Sequence, residues 1–206
     1  MRKKEAFPWE SVVLATKNKG KIKEFTRMFS HWNVRVLTME DDLDFPDVVE
    51  DGETFEANAR KKAEEIMKAT GLAALADDSG LEVAALDGKP GVYSARFAGE
   101  HASDADNNAK LVQLMKDVPE AEREARFVSV LALALPGDDI ILVRGTCEGR
   151  IVLEASGTNG FGYDPYFYLP EKERTMAELA PDEKNAVSHR GVAVRKLTAE
   201  LAERFA

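Results

Sequence analysis

The chain has 206 residues, of which 44% are apolar and 32% charged, a globular balance with enough apolar content for a core and no disorder signature. Its formal net charge is −9, which argues against a general nucleic-acid binder, because affinity for a phosphate backbone comes largely from Lys and Arg. A protein this acidic that handles a phosphate compound must gather its cations in one place.

The single cysteine, Cys147, excludes an intrachain disulfide and a cysteine-built metal cluster, and it fits a reducing, cytoplasmic setting. Residues 1–10 are charged and then mixed, without the apolar stretch of a signal peptide, and read as an N-terminal extension. No apolar run reaches the ~20 residues that span a bilayer. Residues 11–206 read as one domain with no separating linker.

Residues 11–15 have the apolar run of a short buried strand. The loop 16–20 follows, then a helix from about Lys21 with Ile22, Phe25, Met28 and Phe29 at helical spacing. A second strand is expected over 33–37 and an acidic loop over 41–51. Residues 53–70 form a helix with the apolar stripe Phe55, Ala59, Ala63 and Ile66, closed by Gly71. Residues 72–76 read as a strand ending at Asp77-Asp78-Ser79-Gly80, with another at 81–85 and a long loop over 87–99. A helix over 103–116 opens on Ser103 and Asp106 as a capping box. The runs 127–135 and 140–148 flank Pro136-Gly137-Asp138-Asp139 as a hairpin, and 150–154 reads as a further strand. A glycine-containing loop covers 155–165. Thr175 and Glu178 suit a capping box for a short helix stopped by Pro181, and Ser188 suits the cap of a last helix carrying Val194, Leu197 and Leu201. Strands alternating with helices, followed by a hairpin, give an α/β fold with a mixed sheet.

Five constellations carry chemistry. Thr16, Lys17, Asn18, Lys19, Gly20 and Lys21 stand between a strand and a helix, where unpaired backbone N–H groups and the helix dipole bind phosphate. This is not a Walker A loop, because Ile22 stands where Ser or Thr should follow the lysine. Asp77 and Asp78 at a strand end would raise each other's pKa unless a cation lies between them, and Mg²⁺ accepts one or two carboxylates with waters and phosphates. Ser79 could donate to a phosphate oxygen. Glu50, Asp51 and Glu53 precede the helix that carries Asn58 and Lys62. Phe161, Gly162, Tyr163 and Asp164 can offer a ring face to a planar base. Lys184, His189 and Arg190 supply hydrogen-bond donors, and no Gly-x-Ser-x-Gly elbow supports a serine hydrolase. Each motif alone also suits an ordinary surface turn, cap or core contact.

Their order is what stands out. From about Val12 onward the chain resembles the inosine triphosphate pyrophosphatase family, also called dITP/XTP pyrophosphatases. The matching segments are 16–21, Thr54-Phe55-Glu56-Ala57-Asn58-Ala59, Ala76-Asp77-Asp78-Ser79-Gly80-Leu81, Pro90-Gly91-Val92-Tyr93-Ser94-Ala95-Arg96, Phe161-Gly162-Tyr163-Asp164-Pro165 and Ser188-His189-Arg190-Gly191. The resemblance implies an elongated two-lobed α/β fold around a long mixed sheet with flanking helices, an active cleft between lobes, and a homodimer. It implies Mg²⁺-dependent hydrolysis of non-standard purine triphosphates (ITP, dITP, XTP) to the monophosphate and pyrophosphate. In that reading Thr16, Lys17, Asn18, Lys19, Gly20 and Lys21 hold the triphosphate, and Lys62 faces the phosphates beside the catalytic Asp78. Asp78 would also bind the metal, with Asp77 and Glu50 as further candidates; Val49 stands where relatives carry the first acid of an upstream pair. Ser79, Phe161, Gly162, Tyr163, Asp164, Lys184, His189 and Arg190 would bind the nucleotide. The other readings are a pyrophosphatase for modified pyrimidine triphosphates and a nucleotide-binding regulator without turnover.

Overall fold

The computed structural model describes residues 9–205, apart from positions 31, 42, 44 and 138. Most of the N-terminal extension, and one residue of the expected 136–139 turn, therefore lie outside the described residues. The chain forms two compact units. The first takes the described residues up to Asp78, then Ser129–Gly145, then those from Ala193 onward; the second takes Ser79–Val128 and Thr146–Val192. No described helix is long and apolar enough to cross a membrane.

Among the described residues, seven strands make one mixed sheet. They are β1 (Ser11–Leu14), β2 (Arg35–Leu37), β3 (Ala74–Val83), β4 (Glu124–Ala134), β5 (Ile141–Ile151), β6 (Phe167–Leu169) and β7 (Arg174–Thr175). Their order is β2-β1-β3-β4-β5-β6-β7. The strand β1 pairs in parallel with β2 and β3, while β6 pairs antiparallel with β5 and β7. Among the described residues, five α-helices accompany the sheet: α1 (Lys19–Phe29), α2 (Phe55–Thr70), α3 (Asp104–Met115), α4 (Pro181–Val187) and α5 (His189–Phe205). The expected mixed α/β architecture is what the chain adopts.

Local chemistry sets the helix ends. Asn18 accepts from Lys21 N at 3.0 Å, so α1 begins at Lys19, two residues before the expected start. Lys19, Gly20 and Lys21 therefore sit in its first turn. Thr54 caps α2 through Ala57 N, and Gly71 ends it with φ +69. Ser103 and Asp106 form the expected capping box on α3. Gly191 N donates to Ser188 Oγ at 3.2 Å, so Ser188 caps α5. Thr175 and Glu178 form the expected capping box on a short 3₁₀ helix, Met176–Glu178, and Pro181 stands after its end. It occupies the first position of α4, where its missing N–H costs nothing.

Two strand expectations change. Asp77-Asp78-Ser79-Gly80 is not the end of a strand but the middle of the ten-residue β3, buried apart from Ser79. The polar run resembles a turn, yet the Asp77 carboxylate has Ser129 and Lys21 as partners and the backbone stays extended. Residues 150–154 do not start a new strand either, because β5 runs on to Ile151 through Gly149. A Cβ at Gly149 would lie 2.5 Å from Tyr168 O and 2.6 Å from the Phe167 ring, so glycine lets β6 approach β5.

Each unit has its own core. In the first, Val12 and Leu14 of β1, Phe25 and Phe29 of α1, Leu131 and Leu133 of β4, and Leu197 and Leu201 of α5 pack together. In the second, Leu81, Leu111, Met115, Phe127, Ile151, Phe167 and Met176 form the cluster. Burying such side chains contributes about 1.5–3 kcal/mol each.

Candidate active site

The first unit holds a cluster of acids and lysines built on three elements. Along α1 the inward side chains Phe29 and Phe25 are followed, one turn earlier, by Lys21. Along α2 the same spacing runs Ile66, Lys62, Asn58. Both helices thus bring a lysine stem inward. On β3, Asp77 and Asp78 alternate across the strand and acquire different partners. Asp77 accepts from Ser129 Oγ at 2.6 Å and pairs with Lys21 Nζ at 2.7 Å. Lys62 Nζ donates to the Asp77 carbonyl at 3.2 Å and forms an ion pair with Glu50. Glu50 is carried by a loop that Asn58 pins to α2: Gly52 N donates to Asn58 Oδ1 at 2.7 Å. A Cβ on Gly52 would lie 2.6 Å from that same oxygen, so the clamp requires glycine.

Asp78 is 6% exposed, and its Oδ2 has no hydrogen-bond partner among the described residues. Burial of the charged form pushes its pKa from 3.8 up to about 6, opposed by Lys21 and Lys62 and reinforced by Glu50. The folded state thus holds this proton more tightly than the unfolded chain. Stability attributable to Asp78 falls as pH rises from about 4 through 6 and stays low above that. In chelator, Asp78→Asn is therefore expected to melt higher than the parent at pH 8, by roughly 5–10 °C from a shift of about two units. The gap should narrow on lowering the pH to 5. A constant gap across that range in scanning calorimetry would contradict a strained Asp78 carboxylate.

Among the described residues no three acidic, histidine or cysteine side chains converge as a ready-made metal cage. Mg²⁺ does not need one, since it binds through one or two carboxylates and keeps waters and phosphates as its other ligands. A buried carboxylate with an unpartnered oxygen, next to Glu50, suits that coordination.

The remaining residues expected to hold phosphate are spread out. Lys17 is exposed and pairs with the exposed Asp47. Lys19 is exposed on the first turn of α1, and Thr16 Oγ1 accepts from Asn18 N at 3.2 Å. Lys21 and Lys62 both reach β3, Lys21 at the Asp77 carboxylate and Lys62 at the Asp77 carbonyl.

The second unit holds the other group. Phe161 has Lys184 Nζ 5.0 Å and Arg190 Cζ 5.2 Å from its ring centroid. Arg190, 4% exposed, donates from Nη2 to Ser79 Oγ at 2.7 Å. His189 is buried and stacks on Phe127 with centroids 4.7 Å apart. Lys184 and Asp164 form a buried ion pair at 2.6 Å, and Asp164 also accepts from Phe161 N at 3.0 Å. A Cβ on Gly160 would lie 2.0 Å from Asp164 Oδ2, so only glycine leaves room for that carboxylate. Tyr163 offers no free ring face. It is buried in the core, its hydroxyl donates to Ser94 O at 2.6 Å, and burial pushes its pKa upward.

Sequence reasoning singled out Asp104, Asn108, Ser94 and Ser129 for no site role. Asp104 and Asn108, one turn apart on α3, hold Gly162: its N–H donates to Asp104 Oδ2 at 2.8 Å and its carbonyl accepts from Asn108 Nδ2 at 2.9 Å. This clamp fixes the loop that carries Phe161. The available signal was the i, i+4 pair of polar residues beside the apolar Leu111 and Met115. For Ser129 it was a lone hydroxyl inside an apolar run.

The Ham1 family model matches residues 12–200. The chain is 49% identical over 198 residues to the dITP/XTP pyrophosphatase of Bacillus cereus, covering 95% of this chain and 97% of that protein. It is 53% identical over 190 residues to the dITP/XTP pyrophosphatase of Geobacter sulfurreducens, covering 92% and 96%. The solved structure of the Staphylococcus aureus Ham1 protein superposes with a TM-score of 0.83 at 41% identity, covering 94% of this chain and 99% of that one. A HAM1 protein from Coxiella burnetii gives 0.85 at 42% identity, covering 95% and 100%. With matches of this extent in both sequence and fold, the chain belongs to the Ham1 family.

Proposed function

We propose that this protein hydrolyses non-standard purine nucleoside triphosphates, ITP, dITP and XTP, to the monophosphate and pyrophosphate, with Mg²⁺. The observation that carries this reading is the buried Asp78 carboxylate, with one oxygen unpartnered, among Lys21, Lys62 and Glu50. Relatives at about half identity bear the name dITP/XTP pyrophosphatase.

Asp78 and Glu50 would hold the metal, which supplies charge neutralisation on the phosphates. The two oxygens of Asp77 are engaged by Ser129 and Lys21, so Asp77 enters this reading as their partner. Lys21 and Lys62 would take the charge that develops on the phosphoryl oxygens. Thr16, Lys17, Asn18, Lys19 and Gly20 would receive the outer phosphates at the start of α1, where the helix dipole is positive. Asp78 would orient the attacking water and accept its proton, a role suited to a carboxylate whose pKa approaches neutrality. Ser79, Gly162, Tyr163 and Asp164 would shape the nucleoside site around Phe161, which stacks on the base. Lys184, His189 and Arg190 would offer donors to the 6-keto oxygen. The homodimer and the cytoplasmic setting belong to the same reading.

Base choice provides the test. ITP and XTP carry an acceptor at position 6, whereas ATP carries an amino donor there. Arg190 has five N–H donors and no acceptor, and a buried donor left facing another donor is costly. Arg190→Ala should therefore lower kcat/KM for ITP by roughly 10²-fold and for ATP far less. Equal losses on both substrates in steady-state assays would make Arg190 a phosphate or structural residue.

A further inference from the structure

Ser129 is fully buried, and it is the sole hydroxyl of β4, in the run Phe127-Val128-Ser129-Val130-Leu131-Ala132-Leu133. Buried hydroxyls in native strands have partners, because desolvating one without a hydrogen bond is costly. The partner of Ser129 is Asp77 Oδ1 at 2.6 Å, on the adjacent strand β3. Asp77 is 2% exposed, and its other oxygen lies 2.7 Å from Lys21 Nζ. Lys21 Nζ also reaches the Asp77 carbonyl at 3.5 Å.

The sheet explains why these three meet. Alternate residues of a strand share a face, so Ser129 lies on the face of Leu131 and Leu133, and Asp77 on that of Leu75. All three leucines belong to the core that receives Phe25 and Phe29 of α1. Lys21 stands one turn before Phe25 on that helix face, so it enters the core's edge where Asp77 is waiting.

From this geometry we infer that Ser129 is a positioning residue: its hydroxyl fixes the Asp77 carboxylate, and Asp77 fixes Lys21 as a phosphate ligand. Asp77 then serves the lysine rather than the metal. A carboxylate anchored through one oxygen presents the other in one direction. Without the anchor it can turn about its Cβ–Cγ bond, and the ammonium loses its seat. The inference rests on the reading of Lys21 as a triphosphate ligand given under Proposed function.

A double-mutant cycle separates the two. Affinity for inorganic tripolyphosphate is measured by calorimetry in chelator, and kcat and KM for ITP are measured with Mg²⁺, for the parent, Ser129→Ala, Lys21→Ala and the double variant. Thermal melts confirm folding. Ser129→Ala should weaken tripolyphosphate about tenfold and raise KM more than it lowers kcat, and it should add nothing further when Lys21 is already Ala. If Ser129→Ala has the same effect in both backgrounds, or none in the parent, the positioning role is wrong while the reading of Lys21 stands. If Lys21→Ala itself leaves tripolyphosphate affinity unchanged, both fall.

Discussion

Asp78→Asn is expected to give a folded protein whose turnover of ITP is lower by roughly 10²–10⁴-fold, the usual scale for losing a general base. The amide keeps the volume but removes the negative charge that a metal and an attacking water require. The same variant should melt above the parent at pH 8 without metal, because the buried carboxylate charge destabilises the fold. A change that raises stability while abolishing turnover is the mark of a group held in an unfavourable state for chemistry. Activity within a few-fold of the parent would remove Asp78 from the reaction.

The second large effect concerns stability. Lys184 and Asp164 are 4% and 3% exposed and pair at 2.6 Å. Removing one partner of a buried pair strands the other charge and costs about 3–5 kcal/mol. Lys184→Met keeps the stem and deletes the charge, so its melting temperature should fall by about 10 °C. Adding Asp164→Asn should recover most of the loss, since the amide oxygen can still accept from Phe161 N. A drop of only a degree or two in Lys184→Met would mean that solvent or another group already satisfies Asp164.

The sequence was legible wherever a local signal had one cause. Gly71 ends α2 as expected, because helix caps and left-handed termini are local devices, although the helix starts at Phe55 on a Thr54 cap rather than at residue 53. Ser188 is a cap for the same reason. Asp77-Asp78-Ser79-Gly80 misled, because four polar or small residues resemble a turn, and the buried Asp77 is held by Ser129 and Lys21, which are 52 and 56 positions away. The short β6 and β7 carry no periodic pattern and exist through pairing with β5 and with each other. Among site residues, Asp78, Lys62 and Lys21 do converge. Lys17 and Lys19, which the helix start and the family resemblance placed beside them, lie exposed. The Gly162 clamp and the Ser129 anchor were hidden because each is a side chain acting on a distant segment.

The decisive measurement is a product analysis of the purified protein with Mg²⁺ on ITP, XTP, dITP, ATP and GTP. The expected result is equimolar pyrophosphate and nucleoside monophosphate from ITP, XTP and dITP, with kcat/KM roughly 10²-fold or more above that for ATP. Orthophosphate with the nucleoside diphosphate, or equal turnover of ATP and ITP, would contradict it.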